Sequence, residues 1–337
     1  MATIFITGGA GFIGSNFVRF WLEQHPADTV INYDLLTYAG NLDNLAGIEQ
    51  LYPGRYHFVR GDIGNYQLAR LLFGLYNPDW VVNFAAESHN SRAVLQPDLF
   101  FNTNVLGTQK ILQAALDAGV PRFHHISTCE VYGDLALESQ SKFTENSPYL
   151  PHTPYNASKA GADMVVRAYF HTYGLPITIS NCSNNYGPYQ FPEKLIPYFT
   201  IRLVQGLNMP LYRASLNRRE WIHVLDHCRA IEAILVGGIP GETYNVGTGV
   251  EKDIETIADL LLEAFNLDRS YKAYVEDRPG HDRRYLLDSS KIQDQLGWKP
   301  QVDFKSGFLE TVDWYRSHPS WWEPLLKRLS VDETGWK

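Results

Sequence analysis

Short runs of apolar and β-branched residues alternate with longer stretches of helical periodicity through the first 185 residues. The short runs have the length of buried strands, and the longer stretches place apolar residues three or four positions apart, as on one face of a helix. The predicted strands are Ala2–Thr7, Val30–Asp34, His57–Gly61, Trp80–Phe84, Phe123–Ser127 and Ile177–Asn181. The helices predicted between them are Phe12–Gln24, Tyr66–Tyr76, Asn104–Ala118 and Ala157–Tyr173. This alternation predicts an α/β fold with a doubly wound parallel sheet, which binds ligands at the carboxyl ends of its strands.

The alternation ends near Asn185, and residues 186–220 are rich in proline and aromatic side chains. Further helices are predicted at Val224–Val236, Asp253–Phe265 and Ser289–Gln295, with a strand at Glu242–Val246. We therefore expect a first domain over residues 1–185 and a smaller α/β lobe over 186–337 that holds the substrate. The segment 222–246 is expected to return to the main sheet.

Net charge, the length of apolar stretches and the cysteine content argue against several classes of protein. A net charge of −8 and the lack of basic runs argue against broad nucleic-acid binding. No apolar stretch reaches the ~20 residues that span a bilayer, and the first residues enter a strand without the features of a signal peptide. The three cysteines show neither metal-site spacing nor a disulfide framework. We therefore expect no metal and a reducing, cytoplasmic environment.

A glycine-rich turn follows the first predicted strand. The segment TGGAGFIG places Gly8, Gly11 and Gly14 between a strand and a helix, where glycine allows a tight turn and close approach of the main chain to a pyrophosphate. The helix N-terminus then offers free N–H groups to the phosphates. Asp34 ends the second strand, where a carboxylate accepts from both ribose hydroxyls and favours NAD over NADP. The alternative is a structural glycine turn with a capping aspartate.

Further positions are expected to contact the same cofactor. Asp62, after the third strand, is either an acceptor for the adenine amino group or a cap of the next helix. Ala85 and Ala86 follow the fourth strand, where small side chains leave room for a dinucleotide. The remaining cofactor contacts are expected from Phe12, Ile13, Ile63 and Ser127.

A tyrosine and a lysine carry the candidate chemistry. In YNASK, Tyr155 and Lys159 lie four residues apart on a predicted helix, and therefore on one face. An ammonium beside a phenol lowers the phenol pKa from about 10 towards neutrality, so that the phenolate takes a proton from a substrate hydroxyl while nicotinamide accepts a hydride. Ser127 and Thr128, at the end of the fifth strand, are expected to hydrogen-bond that hydroxyl. An ordinary helix pair is the alternative, and the upstream glycine turn argues against it.

Seven segments carry a family resemblance: TGGAGFIGSNFVR, LLTYAGNLDNL, NFAAESH, ISTCEVYGD, PYNASKAGAD, SNNYGPYQFPEKLIP and DRPGHDRRY. Together they resemble the extended short-chain dehydrogenase/reductases, and within them the dTDP-glucose 4,6-dehydratases. The resemblance implies a Rossmann domain with tightly held NAD, a C-terminal sugar-nucleotide lobe and a homodimer. The family's dimer contact implies pairing of the helices predicted at 98–118 and 156–173.

The resemblance also implies roles. In the family the tyrosine and NAD oxidise C4 of the sugar, a glutamate removes the acidified C5 proton, an aspartic acid protonates the departing C6 hydroxyl, and the hydride returns to C6. Carried over by position, Tyr155 is the C4 base and Lys159 its modulator. Thr128 is then the hydroxyl ligand and Glu130 the C5 base. A solvated strand-end carboxylate is the alternative for Glu130.

Substrate contacts follow from the same resemblance. They are Ser88, Asn184, Glu193, Lys194, Tyr212, Arg219, Arg278 and His281. Arg219, Arg278 and His281 are expected to bind the diphosphate, because the planar fork of arginine suits paired phosphate oxygens. Any one of these charges alone is more often a solvated surface group.

Several departures from the family pattern surround one pocket. The family reads Ser-Thr-Asp-Glu-Val-Tyr-Gly, whereas this chain has Cys129 at the aspartate position. Asn90 and Ser91 replace a Val-Asp pair and remove a carboxylate. Asp253 stands near the position of a diphosphate-binding asparagine, where a carboxylate is unfavourable unless arginines compensate it.

Cys129 leaves three interpretations open. A thiol of ordinary pKa near 8.5 is protonated at neutral pH and still donates a proton, although it is a poorer hydrogen-bond donor and a stronger nucleophile. Slower dehydration is one outcome, and another fate of the C5 carbanion is the second, as in a C3/C5 epimerase or a 5,6-ene-forming enzyme. The third is an inert packing thiol.

We therefore expect an NAD-dependent nucleotide-sugar 4,6-dehydratase acting on dTDP-glucose or a related NDP-hexose. The epimerase and the 5,6-ene-forming dehydratase are the alternatives that Cys129 favours. A non-catalytic sensor of NAD and nucleotide sugars is a further alternative, against which the presence of Tyr155, Lys159, Thr128 and Glu130 argues.

Overall fold

A computed structural model describes residues 1–277 and 280–329. The strands in these ranges are β1 (Thr3–Thr7), β2 (Thr29–Asp34), β3 (Tyr56–Arg60), β4 (Trp80–Asn83), β5 (Phe123–Thr128), β6 (Ile177–Cys182), β7 (Asn184–Tyr186), β8 (Met209–Tyr212), β9 (Arg218–His223), β10 (Thr243–Val246), β11 (Glu251–Asp253) and β12 (Lys272–Val275). The α-helices are α1 (Phe12–Gln24), α2 (Ile48–Leu51), α3 (Tyr66–Tyr76), α4 (Asn90–Leu95), α5 (Pro97–Phe100), α6 (Thr108–Ala118), α7 (Pro154–Tyr173), α8 (Leu195–Val204), α9 (Val224–Gly237), α10 (Ile254–Phe265), α11 (Ser290–Leu296), α12 (Phe304–Ser317) and α13 (Pro319–Leu326). Each of these helices is too short or too polar to cross a bilayer.

Seven parallel strands form the main sheet in the order β10-β6-β5-β4-β1-β2-β3. The strand order reverses between β1 and β4, which opens a crevice at the carboxyl ends of these two strands. The predicted doubly wound parallel sheet is confirmed. Because every one of the six strands predicted in the first 185 residues is present, the apolar runs marked the buried strands correctly.

Helices cover both faces of this sheet. Neighbouring strand residues point to opposite faces, so Phe5 packs on the side of α3, α6 and α7 while Ile4 and Ile6 pack on the side of α1 and α9. All three side chains are fully buried. The sheet is therefore the rigid support from which the loops at its carboxyl edge project.

Two predicted helices begin at different residues. The helix expected at Asn104–Ala118 starts as a π-helical segment, Phe101–Gly107, and continues as α6. α7 begins at Pro154, three residues before the predicted Ala157, because the Thr153 side chain accepts a hydrogen bond from the Asn156 N–H (3.2 Å) and a proline suits the first turn. This earlier start places Tyr155 within the first turn of the helix.

The second half of the chain builds two smaller sheets, β11-β9-β7 and β12-β8. Helices α8, α10 and α12 share a hydrophobic core with them. β10 pairs with β6 at the edge of the main sheet, and α9 packs on α1. Segments from the second half thus lie on the main sheet, while the division of the chain near Asn185 stays a prediction.

Candidate active site

The glycine-rich turn lies at the carboxyl end of β1. Gly8 has φ +68°, and its N–H donates to the Tyr33 carbonyl (2.9 Å). Gly11 donates to the Gly8 carbonyl (3.1 Å) and precedes α1 with no side-chain cap. A Cβ at Gly14 would lie 2.2 Å from the Gly8 carbonyl oxygen. The turn therefore requires glycine, and the first N–H groups of α1 are left for an anion.

Gly14→Ala is expected to destabilise this turn and release NAD. The added methyl group meets main-chain atoms, which cannot move aside as a flexible side chain can, and overpacking of this kind costs about 1–3 kcal/mol. Gly74→Ala in α3 is the matched control, because its Cβ meets only the end of Arg70 at 3.6 Å. Cofactor content after purification and the thermal midpoint measure the effect. NAD retained equally in both variants would contradict it.

Asp34 joins the end of β2 to this turn. Its carboxylate accepts hydrogen bonds from the N–H groups of Ala10 (2.9 Å) and Leu36 (2.7 Å). Burial raises the pKa of Asp34, and the two main-chain hydrogen bonds act against this. A carboxylate offers about four acceptor positions, so two main-chain donors leave room for ribose hydroxyls. The position fits the predicted ribose contact.

The other predicted cofactor positions differ in what they offer. Asp62 accepts from the Gly64 N–H (2.8 Å), and Asn65 caps α3, so the capping alternative for Asp62 is wrong. The Ile63 side chain is buried in the core. Only the main chain of Ile63 is then available to a cofactor. Four more of the residues predicted to contact the cofactor are half-buried: Phe12, Ile13, Ala85 and Ala86.

Thr128, Glu130 and Tyr155 come together where β5 meets α7. Thr128 ends β5, and its hydroxyl accepts from the Glu130 N–H (3.3 Å) at the start of the short 3₁₀ turn Cys129–Tyr132. Tyr155 is buried, and its ring contacts Phe100 edge-on at 6.2 Å between centroids. Thr128 lies close enough to the Tyr155 hydroxyl to lower the pKa of the phenol. The structure thus brings together the predicted base and its predicted hydroxyl ligand.

The pKa of Tyr155 is raised, whereas the sequence predicts that it is lowered. Burial raises it well above the usual value, and the charge of Glu130 raises it further, while the hydrogen bond to Thr128 lowers it. Desolvation disfavours the charged form of a phenol, and here it outweighs the protein's own stabilising groups. The expected lowering by Lys159 alone is therefore wrong. The protein groups around Tyr155 therefore do not by themselves lower its pKa.

Lys159 belongs to a buried polar network behind the tyrosine. Its ammonium donates to the Ile126 carbonyl (2.7 Å), and burial lowers its pKa while Asp163 raises it. Ser127 donates to Asp163 (2.8 Å), whose pKa burial raises to about 6. The Ser127 hydroxyl is thus engaged by Asp163 and not directed at a substrate hydroxyl, and strand alternation turns the Thr128 side chain to the opposite face.

Glu130 is held by hydrogen bonds at the floor of a cleft. Asn90 donates to its carboxylate (2.9 Å), and Thr153 donates to Asn90 (2.7 Å). Burial raises the pKa of Glu130, the Asn90 hydrogen bond and the charge of Arg219 lower it, and the charge of Asp282 raises it. A largely buried carboxylate with a fixed donor is not a solvated strand end. Asn90, one of the departures from the family pattern, is thus a direct partner of the predicted C5 base.

Cys129 lies behind this site in an apolar cluster. Its side chain is 1% exposed and packs with Val131, Phe143 and Tyr285. Burial raises the pKa of the thiol well above its usual value, and the neighbouring charge of Glu130 adds to the shift. The thiol is therefore protonated and weakly acidic.

The cleft lies between the carboxyl edge of the main sheet and the second lobe. Seven of the predicted substrate residues line it: Ser88, Asn184, Glu193, Lys194, Tyr212, Arg219 and His281. Arg278 lies outside the described residues. Glu130 and Tyr285 line the same cleft. The predicted sugar contacts and the predicted C5 base therefore face one cavity.

Polar atoms on the cleft wall suit the hydroxyl groups of a sugar. Glu193 accepts from the Tyr38 hydroxyl (2.6 Å) with one carboxylate oxygen, and its other oxygen and the Asn184 side-chain oxygen are buried acceptors without a partner in the described part of the chain. Lys194 donates to the Ser88 carbonyl (2.9 Å). Unpaired buried acceptors of this kind are expected where substrate hydroxyls bind.

Arg219 is partly engaged by the protein. Its guanidinium donates to the carbonyls of Arg218 and Asp282, both at 2.8 Å, and lies 4.7 Å from the centre of the Tyr285 ring. Fewer than its five donors are left for a phosphate. Asp253 caps α10 through the Thr256 N–H (2.6 Å), which gives this departure from the family a structural role.

Sequence reasoning missed two residues at this site, Tyr38 and Tyr285, and for a third, Asn90, it missed the hydrogen bond to Glu130. Tyr38 holds Glu193, Asn90 holds Glu130, and Tyr285 lines the cleft beside Glu130. Tyr38 and Tyr285 stand in LLTYAG and DRPGHDRRY, two of the segments that carry the resemblance, so a signal was available. Among the described residues, no group of three or more histidine, cysteine or acidic side chains is arranged to hold a metal ion.

Known proteins resemble this chain over nearly its whole length. The sequence model of the GDP-mannose 4,6 dehydratase family matches residues 5–311. A dTDP-glucose 4,6-dehydratase of Mycobacterium tuberculosis is 48% identical, with 96% of each chain covered. One from Streptomyces antibioticus is 45% identical, again with 96% of each covered.

Solved structures give the same result. The dTDP-glucose 4,6-dehydratase of Streptomyces venezuelae with NAD bound superposes with a TM-score of 0.92 at 49% identity, covering 96% of this chain and 99% of that one. A UDP-glucose 4-epimerase of Thermus thermophilus with NAD gives 0.84 at 29%, covering 94% and 99%. The chain therefore belongs to the nucleotide-sugar 4,6-dehydratase family of extended short-chain dehydrogenase/reductases, together with the dTDP-glucose 4,6-dehydratases.

Proposed function

We propose that this chain is an NAD-dependent 4,6-dehydratase that acts on dTDP-glucose or a related NDP-hexose. The observation that carries the proposal is the convergence of Glu130 with the unpaired acceptors of Asn184 and Glu193 on one cleft, next to the buried Tyr155. The relatives at 45–48% identity over nearly the whole chain are dTDP-glucose 4,6-dehydratases. Incubation with a panel of NDP-hexoses and mass spectrometry tests it. Loss of one water from a hexose is the expected result, and no turnover of any of them would overturn the proposal.

The residues present fit NAD. Gly8, Gly11 and Gly14 give the close approach that a pyrophosphate needs, the start of α1 supplies unpaired N–H groups, and Asp34 keeps acceptor positions for the ribose. NAD bound here would supply the hydride acceptor for oxidation at C4, the hydride donor for C6, and the positive charge of its oxidised nicotinamide, which favours a phenolate.

Tyr155 and Thr128 handle the hydroxyl at C4. The phenol takes the hydroxyl proton, and Thr128, which lies near the Tyr155 hydroxyl, is placed to hold the oxygen. Lys159 positions the strand end by donating to the Ile126 carbonyl (2.7 Å) and adds a buried positive charge. With C4 at the ketone level, the proton on C5 becomes acidic.

Glu130 takes that proton. Its raised pKa makes it a stronger base than a solvated carboxylate, which suits it to the abstraction of a carbon-bound proton. Asn90 donates to one of its oxygens (2.9 Å) and fixes the orientation of the carboxylate. The electron pair left on C5 is then placed to expel the hydroxyl at C6.

We also propose that Cys129 stands at the position where the relatives carry the acid aspartate. The support is its place in ISTCEVYGD between Thr128 and Glu130. Since its thiol is buried in the apolar cluster and its pKa is raised, Cys129 stays protonated but transfers its proton reluctantly. Dehydration is then slow unless another group protonates the oxygen that leaves C6.

Cys129→Asp is expected to raise kcat for dehydration by about tenfold or more, since a positioned general acid contributes about 10²–10⁴-fold. The measurement is the steady-state rate with the accepted NDP-hexose. Cys129→Ser, which keeps size and polarity without acidity, is the control. A rate for Cys129→Asp at or below that of the parent would show that position 129 does not deliver the proton.

A C3/C5 epimerase or a 5,6-ene-forming enzyme is the second candidate, and Cys129 favours it. Both share oxidation at C4 and proton removal by Glu130, and they differ in the fate of the C5 carbanion. Unchanged mass with uptake of solvent deuterium identifies an epimerase. Loss of water without return of the C4 hydrogen to C6 identifies the ene former. A sensor would show neither.

The proposal also covers the oligomeric state of the protein and its location in the cell. Apolar side chains are exposed on the helices expected to pair in a homodimer, among them Leu106 at 55% and Met164 at 50%. We propose that this face pairs with a second copy, which the molar mass in solution tests. The cysteines Cys129, Cys182 and Cys228 are free thiols, which agrees with the cytoplasmic location expected from the sequence and measurable by fractionation.

A further inference from the structure

A chain of hydrogen bonds runs from the protein surface to the cleft. The His152 side chain is 50% exposed, and its Nδ1 lies 2.7 Å from one carboxylate oxygen of Asp282. The other oxygen of Asp282 accepts from the hydroxyl of Tyr285. Tyr285 is 2% exposed and lines the cleft beside Glu130. One exposed imidazole is thus connected through a buried carboxylate to a phenol at the reaction site.

We propose that His152, Asp282 and Tyr285 form a proton relay that delivers a proton from solvent to the hydroxyl leaving C6. The inference rests on the proposed dehydration and adds to it a route that none of the family-implied roles contains. Tyr285 is the group that meets the substrate. Asp282 and His152 are positioning residues that act through it.

The proton balance of the elimination shows where a donor is needed. Glu130 takes the proton from C5, and the electron pair of that C–H bond forms the C5–C6 double bond. The C6–O bond breaks, and its electron pair leaves with the oxygen, which must gain one proton to depart as water. The Tyr285 hydroxyl turns from Asp282 to the leaving oxygen and gives it that proton. Asp282 takes a proton from the protonated His152 imidazole and passes one to the phenolate, and His152 regains its proton from the solvent. The step needs no oxidant or reductant.

The neighbours of Tyr285 suit this role. Burial and the charges of Glu130 and Asp282 raise the pKa of the phenol, so it is a poor acid on its own and must receive a proton as it gives one. The Arg219 guanidinium lies 4.7 Å from the ring centre and stabilises negative charge on the oxygen. The weakly acidic thiol of Cys129 packs in the same cluster but is not among the groups that line the cleft.

Asn156 fixes the middle of the relay. Its side-chain N–H donates to the same Asp282 oxygen that accepts from Tyr285 (3.2 Å). Asn156 is fully buried and follows Tyr155 in α7. The relay is therefore tied to the helix that carries the C4 base.

The test removes the imidazole of His152, the exposed end of the relay, and then adds imidazoles in solution to replace it. His152→Ala is expected to lower kcat about tenfold with little change in KM, and added imidazoles are expected to restore the rate, in proportion to the concentration of their protonated form. His171→Ala, an exposed histidine at the far end of α7, is the matched control and should behave as the parent. Tyr285→Phe is expected to lower kcat about 10²-fold, as for loss of a general acid.

The experiment distinguishes failure of the proposed dehydration from failure of the relay. A parent enzyme that dehydrates no NDP-hexose overturns the proposed function. An active parent with an unchanged His152→Ala variant, or with a loss that no imidazole restores, overturns the relay alone. A Tyr285→Phe variant that dehydrates as fast as the parent would also overturn the relay. Circular dichroism and NAD content establish that each variant is folded.

Discussion

Tyr155→Phe is expected to lower kcat for dehydration by about 10³-fold, the largest effect of any single change considered. The hydroxyl is the only part removed, and with it the group that takes the proton from the C4 oxygen, a role that contributes about 10²–10⁴-fold. All later steps depend on the ketone at C4, so no partial reaction compensates. The ring keeps its edge-on contact with Phe100, and the variant should therefore fold and bind nucleotide.

Tyr169→Phe is the matched control for this change. Tyr169 stands on the same helix and is buried, and its hydroxyl bonds to Gln109 and Gln113, away from the cleft. Its loss should leave kcat unchanged within a factor of about two and affect only stability, by about 1 kcal/mol. Steady-state rates and thermal midpoints of the two variants are compared. Dehydration by Tyr155→Phe within tenfold of the parent would rule out the phenol as the C4 base.

Glu130→Gln is expected to lower kcat for dehydration by about 10²- to 10³-fold while leaving oxidation at C4 intact. The amide has nearly the same shape and can still accept from Asn90, but it cannot hold the C5 proton. The substrate should then cycle between the alcohol and the ketone without losing water. Exchange of the C5 hydrogen with deuterated solvent, measured by mass spectrometry, should fall with the rate.

The pH profile gives a second measure of the same residue. The pKa of Glu130 is raised by burial, and the carboxylate acts only when ionised, so activity should be lost as the pH falls through a value above that of a solvated glutamate. This acid limb should be absent in Glu130→Gln and present in Glu138→Gln, a control at an exposed position in the same loop region. An unchanged acid limb in Glu130→Gln would assign that limb to another group.

The sequence contained most of the fold because the buried strands and amphipathic helices leave strong periodic signals. The glycine turn was also predictable, since Gly8 needs a positive φ and a Cβ at Gly14 would meet the Gly8 carbonyl. The direction of Ser127 was available in principle. Adjacent strand residues face opposite sides, so only one of Ser127 and Thr128 can reach the substrate hydroxyl.

Other features depend on pairs far apart in the chain. Tyr38 and Glu193 are 155 residues apart, and His152 and Asp282 are 130 apart, so no periodicity reports their contacts. The pKa of Tyr155 was misjudged for the same reason. Its burial and its distance from the charge of Glu130 are set by packing between β5 and α7, which a motif of five letters does not specify.

The central claim is that Tyr155 and bound NAD oxidise C4 and that the same hydrogen later reaches C6. Conversion of dTDP-glucose carrying deuterium at C4 tests this most directly, with the product examined by mass spectrometry and NMR. We expect a 4-keto-6-deoxy product in which deuterium lies on C6 and the hydrogen on C5 comes from solvent. A dehydrated product with no deuterium on C6, or an unconverted sugar that keeps it on C4, would contradict the account.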